Sequence, residues 1–417
     1  MSRSVLTQSG VGAGRYLDDD TSYEDFEASV HQLVTHDGAR VGGVLRRPPG
    51  RTGTVVTIMH PREDSTHHPL VGPLLRAGFA VWTQGSRAVN NDLSLLHEQA
   101  LLDVAAGHTF LRDRGFVNVV TLGHSGGGTL AAFYHEQSAR TPSQRHESSP
   151  SGKPVPLPEA LMPLADGAVF VAPHPGQGVL LARLIDPSVV DESDPLSVDA
   201  TLNLYDPGNG FAEPPATSRY ESDFVSEYRA AQMARIERID ARAQELLADA
   251  QRARRDFAAT GASADRRRVI APRIMTIHRT DADPRCVDLS LDRSERPYGS
   301  LFGNRPDLTN YGLIGFARIT TPDAWMSTWS VTTSRANFLR NATSVVAPSL
   351  LVEFTGDQAC FPSDARAMYD ALSSQDKRHV KVAGRHFGQA LREGARSGAD
   401  LAGEQVIRWL NERFPAG

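Results

Sequence analysis

Between residues 29 and 138 the chain alternates two hydrophobic periods. Ser29 to Thr35 and Val41 to Leu45 alternate around the turn at Asp37-Gly38, as two antiparallel strands would. Val55 to Met59 is a continuous apolar, β-branched run, the pattern of a strand buried on both faces. A helical segment follows over 69–77 and stops at Gly78. Phe79 to Trp82 reads as a strand, 93–114 as an amphipathic helix ending near Gly115, and Val119 to Leu122 as another buried strand. That strand runs directly into Gly123-His124-Ser125-Gly126-Gly127-Gly128, with a helix over 129–138 behind it. Strands alternating with helices predict parallel β-α-β units and a doubly wound, mostly parallel sheet, an α/β fold class.

The stretch 139–163, rich in Pro, Ser and charge, reads as a surface loop. The strand pattern returns at 167–172 and again at 349–354. A helix over 363–372, a strand over 379–382 and a last helix over 399–414 follow. The stretch between is different. It opens with turn signals (Asp186-Pro187, Asp206-Pro207-Gly208-Asn209-Gly210). It continues with apolar positions at three- and four-residue steps, among them Val225, Tyr228, Ile236, Ile239, Ala243, Leu246 and Phe257. The stripe suits a lid helix packed on the core; a homodimer seam is the other use. The expected organisation is therefore a core in two parts, 1–174 and 348–417, with an inserted, largely helical cap at 175–347.

Composition narrows the classes. At 417 residues, with 40% hydrophobic and 22% charged positions, the chain can bury a sizeable core. A net charge of −5 without a clustered basic face argues against a nucleic-acid partner. No run reaches the ~20 apolar residues of a membrane span, and no leader pattern opens the chain, so a cytoplasmic location without a membrane partner is expected. Two cysteines, Cys286 and Cys360, read as reduced thiols. No metal-ligand spacing or phosphate-binding glycine loop appears, so neither metal nor cofactor is expected.

The chemistry gathers around Ser125. A serine on a sharp strand-to-helix turn presents its hydroxyl at the top of a sheet. It needs a base, and the base needs an acid to orient it. Asp357 follows the strand at 349–354, and His386 sits in the loop after the strand at 379–382. Both fall at the edge where open parallel sheets bind ligands. Asp364 is the rival acid, better placed to cap a helix. His174 is a rival base, but it precedes the acid and reads as pocket lining, as do His60 and His124. The oxyanion would take the Gly126 amide and, because Pro61 has no N–H, the Arg62 amide. Tyr311, Phe316, Trp325 and Trp329 are candidate walls of a substrate pocket.

These residues resemble the α/β-hydrolase superfamily over Ser29 to Ala172 and Pro348 to Phe414. The likeness rests on His60-Pro61-Arg62, Gly123-His124-Ser125-Gly126-Gly127, Gly356-Asp357 and Gly384-Arg385-His386. It implies Ser125 as nucleophile, Asp357 as acid, His386 as base and a cap inserted after the sixth core strand. Many members have Gly where this chain has Pro61, which puts the second oxyanion donor in question. The activity implied is cleavage of a carboxylic ester or lactone in a small-molecule substrate. An amidase, peptidase or carbon–carbon hydrolase is the alternative on the same residues, and a non-catalytic binding protein the alternative of another class.

Overall fold

A computed structural model describes residues 25–89 and 91–417. The stretch read above for a leader lies outside the described residues.

Eight strands form one sheet. They are β1 (Glu27–Val34), β2 (Arg40–Arg47), β3 (Thr54–Met59), β4 (Ala80–Gln84), β5 (Asn118–His124), β6 (Gly167–Val171), β7 (Ser349–Phe354) and β8 (Lys377–Val382). Their order across the sheet is β1-β2-β4-β3-β5-β6-β7-β8. The β1–β2 and β2–β4 pairings are antiparallel and all the others parallel. This is the α/β-hydrolase fold. The β-branched runs of β3, β5 and β6 are buried because helices cover both faces. On one face lie α1 (Val71–Arg76) and the last helix; on the other lie α2 (His97–Asp113) and α3 (Gly126–Ala139). Val56, Leu122, Val169, Leu350 and Trp409 share one apolar cluster. Each such side chain contributes about 1.5–3 kcal/mol on burial.

The insert between β6 and β7 carries α4 (Gln177–Leu184), α5 (Ser222–Thr260) and α6 (Ser263–Ile270). After β7 come α7 (Pro362–Ala371) and α8 (Gly398–Arg413). The α5 helix ends where Gly261 takes a left-handed conformation. Its apolar stripe is buried at Tyr228, Ile236, Ile239, Ala243 and Ala253. Of these, Ile236, Ile239 and Ala243 pack with Leu181, Phe316 and Trp329 in an apolar cluster of the insert.

Three expectations change. The stretch 139–163 is no free loop, because Val155, Leu157, Ala160 and Met162 plug the cluster between α2 and α3. The end of the insert, expected to lie outside the core, does not: Phe338, Ala342 and Val345 pack with Ala132, Phe170 and Leu351 of the core. The second helix starts at His97, not 93. Its first free amide, on His97, donates to Ser327 Oγ at 3.0 Å, a capping group from 230 residues away that no local pattern reveals.

Candidate active site

Strand β5 delivers the chain into a turn at Ser125, whose φ of 55° and ψ of −123° are unusual for a residue with a side chain. The strain is held by Ser125 N–H donating to Val171 O at 3.1 Å and Gly128 N–H donating to Ser125 O at 3.0 Å. A Cβ on Gly123 would stand 2.4 Å from the Gly127 carbonyl oxygen, so strand and helix approach this closely only across glycine. Helix α3 starts at Gly126, not 129, despite the poor helix propensity of three glycines.

The three residues singled out in the sequence meet at this edge. His386 Nε2 lies 2.9 Å from Ser125 Oγ, and His386 Nδ1 lies 2.9 Å from both carboxylate oxygens of Asp357. A carboxylate only accepts, so the proton of the neutral ring sits on Nδ1 and Nε2 is left to accept from the serine hydroxyl. Asp357 Oδ1 also accepts from the amides of Ala359 (2.7 Å) and Cys360 (2.9 Å), which fix its orientation. Asp357 and His386 are buried. Asp364 is elsewhere: it pairs with Arg183 at 2.6 Å and accepts from the Phe361 amide at the start of α7.

His124 lines a small cavity with His68, Leu70, Phe354 and Phe387. It sits in a directed chain of neutral imidazoles. The Leu70 amide donates to His68 Nδ1, His68 Nε2–H donates to His124 Nδ1 at 3.1 Å, and His124 Nε2–H donates to the His386 carbonyl at 2.7 Å. The carbonyl at one end and the amide at the other fix both tautomers. Burial pushes the His124 pKa down to about 4, and the neighbouring His386 acts in the same direction. Nothing in the residue pattern marks His68 beyond its adjacency to His67.

The Arg62 amide, expected at the oxyanion, is committed to another acceptor. It donates to His60 Nδ1 at 3.0 Å, as does the Glu63 amide at 2.9 Å. The turn after β3 folds back on its own histidine because Pro61 cannot donate. The Arg62 side chain reaches the cap instead. It pairs with Asp92 at 2.6 Å and lies 5.1 Å from the Phe316 ring centre and 4.9 Å from that of Trp329. Trp329 therefore stands where the insert meets the turn after β3. Trp325 is no pocket wall: its indole donates to Asp240 of α5 at 2.7 Å inside the cap core. Tyr311 is exposed and accepts from Arg279.

Two residues that sequence reasoning passed over complete the surroundings. Gln177 opens α4 and is buried; His97 opens α2 and is fully buried. His174 lies beside them with its Nδ1 accepting from the Gly176 amide at 3.1 Å. Cys286 and Cys360 are buried and unbonded to each other. Among the described residues no cluster of three metal-ligating side chains occurs, and no helix is long and apolar enough to cross a membrane.

No family model and no curated protein matches the sequence. Solved structures overlie it at low identity. A DcsB complex with its substrate analogue is 12% identical with a TM-score of 0.49, over 94% of this chain and 100% of that one. The α/β hydrolase GrgF from Penicillium sp. sh18 is 12% identical with a TM-score of 0.47, over 93% and 98%. An esterase domain from Rhodothermus marinus is 11% identical with a TM-score of 0.42, over 93% and 99%. Sheet order and the turn at Ser125 carry the fold assignment by themselves.

Proposed function

We propose that this protein is a serine hydrolase that cleaves a carboxylic ester or lactone through an acyl-serine intermediate. Ser125 Oγ attacks the acyl carbon while its proton passes to His386 Nε2. Asp357 keeps the other ring proton on Nδ1 and stabilises the imidazolium. The Gly126 amide, next in the chain after the nucleophile, faces the charge that develops on the carbonyl oxygen. His386 then returns the proton to the departing alcohol. Water repeats the sequence and frees Ser125.

One observation carries this reading: the unbroken hydrogen-bonded line from Ser125 Oγ through His386 to Asp357, each step 2.9 Å. A binding protein has no use for an activated hydroxyl held in a strained turn. The test is labelling with a fluorophosphonate, followed by a panel of nitrophenyl esters, lactones, anilides and vinylogous diketones. The parent should label and turn over esters. Ser125→Ala should lose labelling and about 10⁶-fold in kcat, on the scale seen when a catalytic serine is removed. A parent that neither labels nor hydrolyses any of the panel overturns the proposal. Turnover confined to anilides or diketones would replace the ester by those bonds.

A further inference from the structure

The second oxyanion donor remains to be found, because the Arg62 amide is given to His60 Nδ1. Gly126 shows where to look. A Cβ built on it would lie 2.4 Å from Gln177 Nε2, 2.8 Å from His60 Nε2 and 3.1 Å from His174 Nε2. Three side-chain nitrogens from two segments, the turn after β3 and the run from β6 into α4, thus converge on one point, beside the residue whose amide follows the nucleophile.

Their chemistry is fixed by their other contacts. His60 Nδ1 accepts two backbone amides and His174 Nδ1 accepts one, so in both rings the lone pair is at Nδ1 and the proton at Nε2. Protonating either ring would leave Nε2–H a donor all the same. The His174 backbone is anchored to α3, its carbonyl accepting from Thr129 Oγ at 2.7 Å. The Gln177 carboxamide is buried. Neither its nitrogen nor its oxygen completes a hydrogen bond among the described residues. A buried amide left unsatisfied costs stability unless a ligand meets it.

We propose that the oxyanion hole of this enzyme is built from side chains: the Nε2–H groups of His174 and His60, with the Gln177 amide, complete the hole that the Gly126 N–H begins. This rests on the serine-hydrolase reading above. As the Ser125 Oγ–carbon bond forms, the carbonyl π pair moves onto oxygen and the Oγ proton goes to His386 Nε2. The imidazole donors hydrogen-bond to that oxygen and keep their own protons, and nothing is oxidised or reduced. Burial and the surrounding positive groups hold the His174 pKa well down, so it meets the charge as a neutral donor and leaves His386 as the base.

The test compares His174→Phe, His174→Gln and Gln177→Met with the parent. The readouts are kcat, KM and the affinity of a trifluoromethyl ketone carrying the acyl group of the best ester. His174→Phe should lower kcat by about 10²-fold with KM within about twofold, the scale of losing one oxyanion donor. Ketone affinity should fall in proportion, since its adduct with Ser125 carries the same charged oxygen. His174→Gln, which keeps an N–H, should recover much of the loss. Should His174→Phe fail to fold, Gln177→Met reads the same hole by the same proportionality. Variants that keep parental kcat and ketone affinity, in a protein that still loses all activity in Ser125→Ala, overturn the side-chain hole and leave the serine mechanism standing. Loss of KM alone, with ketone affinity unchanged, overturns it equally.

Discussion

In the core, His68, His97, His108, His124, His135 and His174 are buried, and burial holds all of them below the ordinary histidine pKa of 6.5. In the cap, the buried ionisable groups are chiefly arginines and aspartates. Asp283 pairs with Arg229 and Arg285, each at 2.7 Å, and Arg235 with Glu192 at 2.7 Å. The arginine charges around Asp283 outweigh its burial and keep its carboxyl ionised. The two regions lean opposite ways in meeting the cost of burying a charge: the core's buried histidines stay neutral, whereas the insert pairs Asp283 and Arg235, although Asp103 of the core pairs with Arg87 at 2.6 Å and burial raises the pKa of Asp281 in the insert to about 6. Neutral imidazoles keep one donor and one acceptor each, which suits relays and oxyanion contacts. Ion pairs suit a region with fewer large apolar clusters to hold its loops in place.

The largest expected break in this contrast is acid. An unfolded histidine takes up a proton near pH 6.5, whereas folded His97, His124 and His135 do so only at about 4 and His108 at about 3. Between those values the unfolded chain binds more protons. The stability is therefore complete above pH 6.5 and falls as pH is lowered, by about 1.4 kcal/mol per pH unit for each such histidine. Fluorotryptophan labelling reads both regions, because Trp82 and Trp409 belong to the core and Trp325 and Trp329 to the cap. The core signals should shift first on acidification. Coincident transitions of all four would mean one cooperative unit and dissolve the contrast.

Next in size is a broken pair in the cap. Asp283→Ala leaves the buried Arg285 without its nearest partner and should cost about 3–5 kcal/mol, read as a lower denaturant midpoint with fluorophosphonate labelling of the folded fraction retained. A cost under 1 kcal/mol would place these pairs among surface ion pairs.

The smallest effect is in the relay. His124→Phe removes the donor to the His386 carbonyl, worth about 1 kcal/mol. It should lower kcat by a few-fold up to tenfold at unchanged KM, with partial rescue in His124→Gln. An unchanged kcat would reduce the His68–His124 chain to packing.

Much of this was legible along the chain. Continuous apolar runs at β3, β5 and β6 bury on both faces in any fold they join, and a glycine-flanked serine between such a strand and a helix admits few geometries. Asp357 and His386 were legible because a parallel sheet brings every strand end to one edge. The sequence by itself thus determined the sheet, the turn and the three residues that meet there, since each depends on local pattern and on the order of elements. Only the tertiary structure decided that Arg62 gives its amide to His60, that Ser327 caps a helix 230 residues away, that Trp325 belongs to the cap interior, and that His60, His174 and Gln177 face Gly126 together. Those depend on which hydrogen-bond partner wins within an ångström or two between segments distant in the chain, and no period or spacing along the sequence encodes that competition.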